Sequence, residues 1–137
     1  MATGEFDLIA RHLTTLGARR SDVVLGVGDD AAILEHPAAS ELRSAATCIA
    51  LTELTSERLA RSIQDSVQQL VEQLTDKGCA PAWVTLALTL SQVDDGLVQS
   101  IADAIHRASL EHNLAVVGGD TTSGKPSLTI FVLGVHE

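Results

Sequence analysis

An α+β fold, with helices on one face of a mainly antiparallel or mixed sheet, follows from three features of this sequence. Residues 56 to 77 carry one apolar stripe at helical spacing, and residues 83 to 90 alternate between two faces. The elements run helix, two or three strands, helix, strand, helix, two strands, an interleaving that layers helices on a sheet. The chain has 137 residues and a mass of 14.4 kDa, so residues 1–137 are read as a single domain. Its hydrophobic content of 45% suffices for a core, and that core is aliphatic because the aromatics are only Phe6, Trp83 and Phe131.

Phe6, Ile9, Leu13 and Leu16 fall on one helical face, and Gly17 follows as a left-handed cap, which predicts a short helix over 5–16. Asp22 to Val27 reads as a strand broken by Gly28-Asp29-Asp30, and Ala31 to Leu34 as a second short strand. Leu42 to Leu51 is a weaker strand, rich in Ala and Ser. The long helix starts at a Ser56 cap and ends at Gly78. Its stripe is Leu59, Ile63, Val67, Leu70, Val71 and Leu74. In the next strand Val84, Leu86, Leu88 and Leu90 share a face, and Trp83 is expected in the core beneath the long helix. Asp94 caps a helix with Leu97, Ile101, Ile105 and Ala108 inward, ending near Asn113. Leu114 to Val117 reads as a strand, Gly118 to Pro126 as a loop, and Ser127 to Val135 as the last strand.

Nine basic against eighteen acidic residues give a net charge of −9, and the pI is about 4.8. Such a chain repels nucleic acid and anionic lipid, and a phosphate-bearing ligand needs a cation or clustered N–H groups to approach it. No apolar run is long enough for a membrane span and the first residues lack a signal-peptide pattern, so a cytoplasmic protein is expected. Cys48 and Cys79 match no ligand or redox spacing and read as two reduced, partly buried thiols. His12, His36, His106, His112 and His136 form no metal-binding pair and read as structural.

Two segments share a pattern: Val23 to Val27 runs into Gly28-Asp29-Asp30, and Leu114 to Val117 runs into Gly118-Gly119-Asp120-Thr121. Glycine backbone lets a phosphate come close, while carboxylates hold Mg²⁺, a hard cation that takes one or two of them plus substrate oxygens. Gly-Asp after a strand is also an ordinary turn signal. Gly119 to Lys125 satisfies G-x-x-x-x-G-K, but Pro126 stands where a Walker loop needs Ser or Thr, and a strand follows where that motif needs a helix. The Walker reading is rejected on that context.

Four blocks carry a more specific resemblance: Gly4-Glu5-Phe6 with Leu8-Ile9-Ala10-Arg11, Leu25 to Ala32, Pro81 to Leu90, and Val117 to Thr122. In that order they resemble the amino-terminal domain of thiamine-monophosphate kinase, of the aminoimidazole ribonucleotide synthetase superfamily. The resemblance covers nearly the whole chain and the first half of the family's two-domain protein. It implies a ferredoxin-like α+β layer whose sheet pairs with a twin in a homodimer, and binding of ATP with several Mg²⁺ ions. By the same resemblance Asp29, Asp30 and Asp120 are metal ligands, and Gly28, Gly118, Gly119 and Thr121 border the nucleotide. Other acidic positions of the family have no counterpart. Its Ser-Thr-Asp-Thr segment is replaced by Ser44-Ala45-Ala46-Thr47-Cys48 followed by Leu51-Thr52-Glu53. Its Asn-Leu-Ser-Asp-Leu is replaced by Leu70-Val71-Glu72-Gln73-Leu74, with Glu72 or Asp76 as off-register substitutes.

Phosphoryl transfer relies on positioning and metal charge, so a domain short of these ligands is expected to be catalytically incomplete, with at most a residual Mg²⁺-nucleotide site at a dimer interface. Two alternatives stand beside this expectation. One is an active ATP-dependent thiamine-monophosphate kinase, alone or completed by a partner chain. The other is a ligand-free protein-interaction domain.

Overall fold

Leu59, Ile63, Val67, Leu70 and Leu74 recur every three or four residues and are all buried, which fixes one stripe of a helix, α1 (Ser56–Asp76), on a sheet. The computed structural model of the chain describes residues 16–25, 32–52, 55–92 and 94–136. The other elements are β1 (Val23–Leu25), β2 (Ile33–Leu34), β3 (Glu41–Ala50), β4 (Cys79–Leu90), α2 (Asp95–Glu111), β5 (Ala115–Ser123) and β6 (Ser127–His136). The expected helix over 5–16 lies outside the described residues except for Leu16, which packs on the core, and Gly17, whose φ of +80° is the left-handed geometry expected there.

Four strands form a mixed sheet in the order β3-β6-β4-β5. β6 runs antiparallel to both neighbours, and β4 pairs parallel with β5 across the α2 crossover. From β3 onward the elements run β-α-β-α-β-β, so the last strand slots between the first and second of the four. Both helices cover the same face. Val84, Leu86, Leu88 and Leu90 of β4 and Leu128, Ile130 and Val132 of β6 form one core cluster with Ile101 and Ile105 of α2. Each fully buried aliphatic side chain there stabilises the fold by roughly 1.5–3 kcal/mol relative to exposure.

The helix ends follow from local chemistry, with one correction. Thr55, not Ser56, caps α1, its hydroxyl accepting from the Arg58 N–H at 3.2 Å; Ser56 is already helical. Asp94 caps α2 as expected, accepting from the Leu97 N–H at 3.1 Å, and Asn113 leaves that helix at φ +53°.

Three further expectations are corrected. β5 does not end at Val117 but runs through Gly-Gly-Asp-Thr-Thr to Ser123, because residues 118–123 pair in register with Thr85 to Leu90. The turn is therefore confined to Gly124-Lys125-Pro126, and β6 follows it, which agrees with rejecting a Walker loop. Trp83 is wholly buried, yet on the face away from α1, with Ala82, Ala115 and Val117 and against Val23, Ala32 and Leu34 of the β1–β2 ribbon. Strand alternation requires this once Val84 faces the helices, and a bulge at Ala82 puts two successive residues into the same small cluster. Finally, Cys79 is buried but Cys48 is exposed, since it sits on the uncovered face of β3.

Candidate functional site: the open face of the sheet

The face opposite the helices is built from every second residue of each strand, and small side chains dominate it. Register places Ala46 beside Phe131 and Thr85, Cys48 beside Thr129, Ala87 and Asp120, and Ala50 beside Ser127, Thr89 and Thr122. Among the described residues, the β1–β2 ribbon covers the end near Trp83, Leu133 and Val135 and no element covers the rest. Leu42, 49% exposed, stands on edge strand β3 beside Val135 at the margin of that end, and Phe131, 36% exposed, stands beyond it.

Asp120 projects from edge strand β5 onto this face and is exposed. Strand alternation separates it from Thr121, which pairs with Leu88 and therefore points to the helix side. Thr122 returns to the open face, where its hydroxyl meets that of Thr89 at 2.9 Å. The two glycines differ. A Cβ on Gly119 would stand 2.6 Å from the Leu86 carbonyl oxygen, so close packing of β5 on β4 already demands glycine there. At Gly118 the nearest atom would be Thr85 Cγ2 at 3.9 Å, so no neighbour demands it. A bulge at Val117 immediately precedes it.

Gly28, Asp29 and Asp30 lie outside the described residues, as do Gly26 and Val27 before them. What is described of that segment lies on the same side of the sheet as Asp120, for Val23 packs into the Trp83 cluster on the non-helical face. Among the described residues no three His, Cys, Asp or Glu side chains converge on a cation position. Glu72 and Asp76 project outward from α1, the layer across the sheet from Asp120, and Glu72 accepts from Gln68 Nε2 at 3.2 Å.

Sequence reasoning missed the polar cluster beside the ribbon. Arg20 and Asp22 pair at 2.9 Å, and Asp22 Oδ1 accepts the Trp83 indole N–H at 3.1 Å. Hydrogen bonds from Arg20 hold the Asp22 carboxyl below its ordinary value of 3.8, against the upward pull of burial and with help from Trp83. The available signal was a buried Trp whose N–H needs an acceptor, with an Asp at the start of the adjoining strand. Two of the histidines make structural contacts: His106 Nδ1 accepts the Gly17 N–H at 3.0 Å, and His36 Nδ1 lies 2.7 Å from the Ser40 hydroxyl.

The fold and this face define a class: an α+β domain with two helices on one side of a mixed four-stranded sheet and an acidic edge strand on the other. Comparison narrows it. Residues 28–136 match the family described as AIR synthase related protein, N-terminal domain, and the chain belongs to that family. It is 37% identical over 146 residues to thiamine-monophosphate kinase of Escherichia coli (strain K12), covering 99% of this chain and 42% of that protein. The crystal structure of thiamine-monophosphate kinase from Stenotrophomonas maltophilia K279a superposes with a TM-score of 0.73 at 30% identity, over 98% of this chain and 43% of that one. A third structure, AaThiL complexed with AMPPCP and TMP, shares the fold at 17% identity and TM-score 0.58, over 96% of this chain and 42% of that one. The chain thus spans less than half the length of the relatives it matches.

Proposed function

We propose that this chain is a thiamine-monophosphate kinase-like amino-terminal domain that keeps a reduced Mg²⁺-nucleotide site and lacks the ligands for efficient phosphoryl transfer. Asp29, Asp30 and Asp120 hold the cation, and Gly28, Gly118, Gly119 and Thr121 form the backbone around the phosphates. The observation that carries this reading is Asp120: an exposed carboxylate on the open face, on the same side as the strand leading to Gly28-Asp29-Asp30. Carboxylate oxygens suit Mg²⁺. The fold neighbour bound to AMPPCP and TMP makes a nucleotide the natural ligand to test. When bound, the metal neutralises phosphate charge, which a chain of net charge −9 otherwise repels.

Incompleteness rests on residues within the chain. Ser44 to Cys48 carry no acid, and residues 70–74 of α1 offer only Glu72, which is exposed and off register from the family's helical carboxylate. A homodimer through the open face is part of the same proposal, because Leu42 and Phe131 leave apolar surface there and the small residues beyond Phe131, among them Cys48, Thr129 and Ala50, allow another sheet to approach closely.

Titration calorimetry with ATP and Mg²⁺ tests the site. The parent chain is expected to bind, and Asp120→Asn to weaken binding at least tenfold without a change in melting temperature. No heat at millimolar nucleotide from the parent overturns the site and leaves the interaction-domain reading. Formation of thiamine diphosphate by the purified chain would instead establish an active kinase. Light scattering tests the dimer, with Phe131→Glu expected to give a monomer.

A further inference from the structure

We propose that Lys125, held on the hairpin between β5 and β6, contacts the phosphates of a nucleotide anchored at Asp120, together with the Thr89–Thr122 hydroxyl pair. The inference rests on the Mg²⁺-nucleotide reading above and uses only the Asp120 side of that site.

The lysine of the rejected Walker pattern has no phosphate loop to serve, yet the fold brings it to the rim of the open face. The Gly124 N–H donates to the Leu90 carbonyl at 3.0 Å, and the Pro126 carbonyl accepts the Leu51 N–H at 3.1 Å. Lys125 therefore stands between one residue tied to the end of β4 and another tied to the chain just past β3. A Cβ on Gly124 would lie 3.1 Å from Thr89 Cγ2, so the turn is seated against Thr89. The Thr89 hydroxyl meets that of Thr122 at 2.9 Å on the open face. Strand rise puts Thr122 about 7 Å from Asp120 along β5, with both side chains on that face.

The chemistry of this rim suits an anion. Two hydroxyls carry two protons and their mutual bond uses one, so one O–H remains to donate to an outside acceptor. Charge is scarcer. Across the four strands and this hairpin the only Lys or Arg residues are Arg43 and Lys125. Arg43 lies at the opposite end of the sheet, beside Gly134, and is paired with Glu41 at 2.7 Å. Lys125 is exposed and makes no ion pair among the described residues. An ammonium beside a hydroxyl donor favours phosphate oxygens, and a chain of net charge −9 offers such a ligand little other attraction. The nucleotide phosphates accordingly run from Asp120 along β5 toward the hairpin. Lys125 is assigned binding alone, with no step in phosphoryl transfer.

The test measures ATP affinity in Mg²⁺ by calorimetry. Lys125→Gln, an exposed hairpin change, is expected to melt with the parent and to weaken binding roughly fivefold or more, with Lys125→Arg restoring most of the loss. Lys77→Gln makes the same change in net charge at the end of α1, next to the start of β4, and is expected to bind like the parent. Thr89→Val removes a hydroxyl at nearly constant shape and should weaken binding several-fold. Parent-like affinity in Lys125→Gln or in Thr89→Val overturns the proposal. An equal loss in Lys77→Gln overturns it too, because the effect would then be one of overall charge. A parent that binds no ATP overturns the site reading and this contact together, whereas a binding parent with an equally tight Lys125→Gln removes the contact and leaves the site.

Discussion

The two faces of the sheet solve opposite problems. Toward the helices, β4 and β6 present Val84, Leu86, Leu88, Leu128, Ile130 and Val132, nearly all without exposed surface and interlocked with α1 and α2. Toward the other side the same strands present Thr85, Ala87, Thr89, Thr129 and Phe131, and among the described residues only one end is covered. The alternation is equally regular on both, so period alone does not separate a face that holds the fold from one that presents groups to a partner. Side-chain size does. Large aliphatics fill a layer against helices, whereas small hydroxyl and methyl groups leave backbone and a carboxylate accessible.

The comparison breaks most readily in the helix layer. Leu70→Ala removes a buried side chain from close packing and is expected to cost about 3 kcal/mol in urea unfolding, whereas Phe131→Ala on the open face should cost less than about 1 kcal/mol. Equal losses would mean that the open face is a second core. Next in size is the glycine pair. Gly119→Ala drives a methyl into the Leu86 carbonyl and is expected to cost about 2 kcal/mol, while Gly118→Ala should fold normally, as circular dichroism melting would show.

The smallest effect concerns acid. Asp22 is depressed in the folded state, so its contribution to stability is complete above its unfolded value, near 3.8, and is lost as pH falls through the lower folded value. After allowance for solvent screening of a pair about a quarter exposed, that contribution is roughly 1 kcal/mol. Asp22→Asn should lie below the parent by this amount at pH 7 and approach it as pH falls below 3.8, measured by urea unfolding across pH. A gap that persists in acid would show that packing, not charge, ties Asp22 to Trp83.

Much of this architecture was readable in advance, and the failures have specific causes. The stripe from Leu59 to Leu74 and the alternation from Val84 to Leu90 are governed by burial against one layer, the condition under which periodicity is informative. Residues 118–123 were misread because Gly-Asp-Thr-Thr is turn chemistry locally, and only pairing with the second half of β4 makes it a strand. Trp83 was misplaced by treating the core as one-sided, although its own alternation with Val84 contradicted that. For the site, the Asp120 motif was legible as chemistry but its face was not, because that depends on register and on the bulge at Val117. Asp29 and Asp30 rest on sequence pattern alone. The Arg20–Asp22 pair left no motif, since its partners are distant in sequence.

The outer rim of β3 has a consequence for handling the protein. Among the described residues nothing pairs with it, and its only charges, Glu41 and Arg43, sit at the start and satisfy each other at 2.7 Å. From Ser44 to Ala50 the strand is uncharged and without proline, and no described strand occupies the outer edge where another could add. Concentrated stocks therefore have a built-in route to lateral growth, and a lysine at Ser44 or Ala46 should slow precipitation while leaving the helix-covered layer intact.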